Sequence, residues 1–183
     1  MTSSVQPRIP TMRAVDHVAF TVPDLQEAVR FFVDHLGAEL IFTDGPFADE
    51  KSDGMRRRLN VDPLAKCSLA MLRLGQHHNV ELFEYVAPQQ QSVPPGNSDV
   101  GGHHLAFYVD DINAGYAYVR SIPGVTVQEG PNGVDPQAPV AGQRWFYFQT
   151  PWGMQMELTT CSTDGFYTGL PGAAMVAPTR TWR

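Results

Sequence analysis

A chain of 183 residues, 43% of them hydrophobic, is long enough to bury a core as one compact unit or as two small fused modules. Its formal net charge of −6 argues against a nucleic-acid partner, which calls for a basic face, and against an anionic membrane surface. Two cysteines, Cys67 and Cys161, match no zinc spacing and make no disulfide framework. No apolar run approaches the ~18 residues of a membrane helix, so a soluble, reduced, cytoplasmic protein is expected.

The first fourteen residues are polar and contain proline, without the apolar stretch of a signal peptide. A short strand headed by His17 follows. Asp24 then reads as the N-cap of a helix through Leu25, Ala28, Val29 and Phe32, and Gly37 as its stop. Strands are expected over 39–42, 68–74 and 79–85, with a long polar insertion, 43–66, after the first. Residues 88–101 are rich in Pro, Gln, Ser and Gly and read as a linker.

The pattern then starts again. Residues 16–25 return as 103–112, with His, Ala, Phe, Val and Asp at the same offsets and no gap. Asp111 caps a second helix that Pro123-Gly124 ends. Strands over 125–127, 144–148 and 154–159 follow, the last two joined by Pro151-Trp152-Gly153. The expected organisation is α+β: a first βαβββ module over 13–87, the linker 88–101, a second module over 102–161, and a C-terminal tail over 162–183.

The repeat places chemistry at matching positions. His17 and His104 head the first strand of each module, and Glu81 and Glu157 lie on the last strand of each. Two imidazoles and two carboxylates make a donor set for one divalent ion, Zn, Ni, Co, Mn or Fe(II), with positions open for substrate oxygens. Glu157 sits among apolar residues, where a carboxylate without a partner is costly. Two of the four have a rival: His103 for His104, one residue out of register, and Glu84 for Glu81, of opposite strand parity.

The runs 16–25 and 102–112 and the closing Pro151-Trp152-Gly153-x-x-x-Glu157-Leu158 resemble the vicinal-oxygen-chelate superfamily of glyoxalases, bleomycin resistance proteins and dioxygenases. The resemblance covers roughly residues 13 to 160. It implies that the two modules enclose one metal cleft, and that a substrate with two neighbouring oxygens loses a proton beside a carbonyl to give an enediolate. It also implies that His17, Glu81, His104 and Glu157 hold the metal, that Glu157 moves the proton with Glu81 as its partner, and that the protein is a homodimer.

Three enzyme readings follow: a glyoxalase I-like lyase, an epimerase of the methylmalonyl-CoA or cyclitol type, and an extradiol-type Fe(II) dioxygenase. Thr21, where glyoxalase I has an arginine, points away from glutathione, and the fourth ligand points away from the dioxygenase. A non-enzymatic resistance protein that binds a small molecule is the alternative of another class. Candidate substrate contacts are Arg56 and Arg57 in the insertion, Gln143 and Arg144 before a strand, and the aromatics Phe47, Phe148 and Trp152.

Overall fold

In the computed structural model, residues 9–138, 140–161, 175–179 and 181–182 are described. They divide into two units, one running to Gln89 and rejoined by Thr181 and Trp182, the other starting at Gln90. The chain from Gln90 onward, expected as linker up to residue 101, thus packs with the second unit.

The first unit contains β1 (Val18–Thr21), α1 (Leu25–Asp34), β2 (Glu39–Phe47), α2 (Gly54–Leu59), β3 (Lys66–Leu74) and β4 (His78–Val86). Its sheet has the order β1-β4-β3-β2, with β1 parallel to β4 and the other pairs antiparallel. Strand residues alternate between faces. One face carries Ala70, Leu72, Val80 and Leu82, all buried beneath Ala28, Phe31 and Phe32 of α1. The carboxylate of Asp24 accepts from the Glu27 amide at 2.8 Å, satisfying one of the first free N–H groups of the helix.

The insertion is more structured than its sequence suggests. β2 continues through Thr43 to Phe47, with register shifts on the way. At Gly45, where φ is +108°, an added Cβ would stand 2.8 Å from the Cys67 carbonyl oxygen, so a side chain is excluded there. α2 is fastened by Met55, buried against Ala65 and Cys67 with Val61, Tyr85 and Ala87 around them. Trp182 completes the unit, its indole N–H donating to the Gly37 carbonyl at 3.0 Å.

The second unit contains β5 (Leu105–Tyr108), α3 (Ile112–Ser121), β6 (Thr126–Val127), β7 (Asn132–Gly133), β8 (Gln143–Gln149) and β9 (Gln155–Cys161). The sheet order is β5-β9-β8-β6, with β7 pairing on β8. Asp111 caps α3 by accepting from the Asn113 and Ala114 amides. Phe146, Phe148 and Met156 are fully buried on the helix side, with Tyr116 of α3 edge-on to Phe146. Registers repeat as the sequences do: Ala19 pairs with Glu81 across β1–β4, and Ala106 with Glu157 across β5–β9. Among the described residues no helix is long and apolar enough to cross a membrane.

Candidate metal and proton-transfer site

In each unit the sheet face turned away from the helix carries one histidine and one glutamate in contact. His17 Nε2 lies 3.3 Å from Glu81 Oε2, and His104 Nε2 lies 3.1 Å from Glu157 Oε2. The matching registers explain this. A histidine just before the first strand leans over the carboxylate of the strand beside it, and the repeat builds that contact twice.

The rivals are placed elsewhere. Glu84 points to the helix face of β4, where its carboxylate accepts from the Leu25 amide at 2.8 Å, at the positive end of α1. His103 has its Nδ1 3.1 Å from the Gly101 carbonyl oxygen.

The two pairs differ in their surroundings. His17 Nδ1 is held by the neighbouring Asp16 carboxylate at 2.8 Å. That hydrogen bond raises the imidazole pKa above its ordinary value; burial opposes the rise, and the charge of Glu81 adds to it. Glu157 is one of the two buried polar residues among those described. Burial pushes its carboxyl pKa upward, and His104 offsets part of the rise. Tyr147 lies opposite Glu157 across β8–β9, with its ring 5.1 Å from that of His104. Its phenol is raised by burial first and by the Glu157 charge second, and a hydrogen bond from Asn97 lowers it. The residue opposite Glu81 is Met71, which offers no hydroxyl.

The donor chemistry fits a divalent ion. In each unit the outward nitrogen Nε2 shares a space with a carboxylate oxygen, while Nδ1 is engaged behind it. Metal-ligating histidines are ordinarily oriented that way. Among the described residues no group of three or more His, Cys, Asp or Glu side chains is placed to hold an ion, and each unit by itself brings together one His–Glu pair.

The other expected site residues divide between faces. Phe47 pairs with Cys67, and Cys67 with Tyr85, which puts all three on the Glu81 face. Gln143 lies on the Glu157 face and donates to Thr159 Oγ1 at 2.8 Å. Arg144 points to the helix face and donates to Asn113 Oδ1 at 3.3 Å. Phe148, expected as a pocket liner, lies in the core beneath α3 because its strand parity is opposite to that of Tyr147. Trp152 is half-buried in the turn between β8 and β9. Arg56 and Arg57 are exposed on α2, and Arg57 is held by Asp53 at 2.6 Å.

Sequence reasoning missed Asp16, Asn97 and Tyr147. Asp16 adjoins His17 and could have been noticed. Tyr147 follows only from the β8–β9 register, and Asn97, in a polar loop, carries no sequence signal.

The family model for the glyoxalase/bleomycin resistance protein/dioxygenase superfamily matches residues 16–141. The chain belongs to that superfamily. The match takes in His17, Glu81 and His104, while Glu157 lies beyond it and rests on the repeat register. Across this glyoxalase-like chain, 174 residues are 47% identical to a 2-epi-5-epi-valiolone epimerase from Actinomyces sp, covering 95% of this chain and 93% of that one. The fold is that of solved glyoxalase family proteins. One from Bacillus cereus has a TM-score of 0.65 at 16% identity, covering 85% of this chain and 99% of its own. Another, from Enterococcus faecalis, has a TM-score of 0.56 at 22% identity, covering 80% and 97%.

Proposed function

We propose that this protein is a metal-dependent epimerase of a small polyhydroxylated cyclic ketone of the 2-epi-5-epi-valiolone type. The observation that carries this reading is 47% identity along 95% of the chain to an epimerase of that substrate. A relative of that kind favours the epimerase over the lyase and dioxygenase alternatives, and the cyclitol ketone over an acyl thioester.

The chemistry follows from the substrate class. A carbon that bears a hydroxyl and adjoins a carbonyl loses its proton to give an enediolate, and return of a proton to the other face inverts the centre. His17, Glu81, His104 and Glu157 are the residues that would hold the ion. When bound, the ion supplies Lewis-acid stabilisation of the charge that grows on the substrate oxygens. Glu157 is the base: it is the more buried of the two carboxylates and has a phenol beside it. Glu81 is assigned the return of a proton. The hydroxyl of Tyr147 donates a hydrogen bond to the substrate oxygen next to the proton being moved.

The test is incubation of the purified protein with 2-epi-5-epi-valiolone in D2O, followed by NMR. Inversion beside the carbonyl with one solvent deuterium incorporated is expected. A chelator should abolish the reaction, and Zn, Mn or Co should restore it. Absence of exchange and inversion in metal-replete protein overturns the epimerase assignment; turnover that survives complete chelation overturns the metal dependence.

A further inference from the structure

Beyond the His–Glu pairs, the two site faces carry opposite chemistry. Around Glu81 stand Met71 across β3–β4, Phe83 two residues further along β4, and Leu69 opposite Phe83. Phe83 and Tyr85 stack with their ring centroids 5.4 Å apart. In the second unit the matching positions around Glu157 hold Tyr147, Thr159 and Trp145. Gln143 takes the place that Cys67 has in the first unit. One face therefore offers carbon and sulfur, the other hydroxyl and amide groups.

Two of those polar groups are tied together. Gln143 Nε2 donates to Thr159 Oγ1 at 2.8 Å, and Thr159 Oγ1 donates to the Arg144 carbonyl at 3.3 Å. A hydroxyl has one proton to give. Thr159 gives it to the backbone, so it meets the amide as an acceptor, and the amide must present its NH2 group. The orientation of the Gln143 amide is thereby set, and Oε1 is left as the end that can accept.

The chain lies within reach of the proton-transfer position. Thr159 is two residues from Glu157 on the same face of β9, about 7 Å along the strand. A ring whose reacting carbon stands at the Glu157 carboxylate carries its remote hydroxyls toward Thr159 and Gln143. An amide oxygen accepts only, so it favours a hydroxyl there and disfavours a carbonyl or an anion.

We infer that Gln143 is a specificity-determining residue whose Oε1 accepts a hydrogen bond from a substrate ring hydroxyl remote from the epimerised carbon, and that Thr159 is the positioning residue that holds the amide for it. The inference rests on the epimerase reading above for its substrate class.

The test compares native protein, Gln143→Met, Thr159→Val and Thr159→Ser, all metal-replete. The probes are 2-epi-5-epi-valiolone and analogues that each lack one hydroxyl away from the carbonyl, with turnover followed by NMR and binding by calorimetry. Gln143→Met should lower kcat/KM for the parent ketone about 10–100-fold, mostly through KM. That loss should vanish for one analogue, the one without the hydroxyl that Gln143 meets. Thr159→Val should reproduce the pattern, and Thr159→Ser, which keeps the hydroxyl, should stay within about threefold of native. A Gln143→Met protein within about twofold of native on the parent ketone, or equally impaired on every analogue, overturns the inference and leaves the epimerase reading intact. Native protein that binds the ketone through Gln143 but epimerises nothing rejects the epimerase reading and leaves the inference standing. Native protein that neither binds nor turns over the ketone overturns both.

Discussion

Glu157 stands directly across the β8–β9 pair from Tyr147, whereas Glu81, its counterpart in the repeat, stands across from Met71. Side chains directly opposite in an antiparallel pair lie within mutual reach, so the second unit brings a hydroxyl to its carboxylate and the first brings a thioether. A twofold repeat has thereby acquired two unequal halves, which suits a reaction in which the two carboxylates do different work.

Replacing Tyr147 by Phe removes the hydroxyl and keeps the ring that packs edge-on to His104. The expected loss in kcat is on the order of 10²-fold, the usual cost of a lost donor beside developing charge. KM should change little, and Met71→Leu should stay within about twofold of the native rate. Steady-state kinetics on both variants checks this; equal losses would deny Tyr147 a special role.

Glu157→Gln should abolish solvent exchange, with a loss on the order of 10²–10⁴-fold. In metal-free protein the same substitution should raise the melting temperature at neutral pH. The buried carboxyl has a folded pKa above its unfolded value, so at higher pH the unfolded state holds fewer protons and is favoured. Calorimetry from pH 4 to pH 8 on chelated samples should show the native protein losing stability relative to the glutamine variant across that window. Coincident curves would contradict it.

Cys67 is buried, and burial first, then the charge of Glu81, raises its thiol pKa above 9.0. Above that pH an unfolded thiol releases its proton while the folded one keeps it, so stability falls as pH rises. Tyr85 is shifted the same way by burial, Cys67 and Glu81, and adds to the fall at higher pH. Cys67→Ala should flatten the decline of melting temperature between pH 8.5 and 10.5. An unchanged slope would place the alkaline loss elsewhere.

Met55 is the apolar peg of α2, with Ala65 and Cys67 as its buried neighbours. Met55→Ala should cost about 2 kcal/mol, the low end for a buried methionine, because the cluster is small. The loss should be local. Amide exchange should accelerate over α2 and leave β4 and β9 protected. Uniform acceleration over the whole chain would mean that the insertion belongs to the main core.

Much of this protein was legible from the chain alone. The ungapped return of 16–25 as 103–112 gave both first strands and both helices, because caps at Asp24 and Asp111 and the spacing of apolar residues are local properties. The same repeat selected His17 with His104 and Glu81 with Glu157, since strand parity carries a residue to one face or the other. Tertiary structure decided what depends on register between strands and on loops folding back. Phe148 went to the core and Gln143 to the site face because the β8–β9 pairing sets parity, and no residue reveals that from its own neighbours. Glu84 became a helix partner because β4 passes beneath the start of α1. Asn97 gained its place beside His104 because a polar loop closed at Gly96–Gly102, held by hydrogen bonds that composition does not encode.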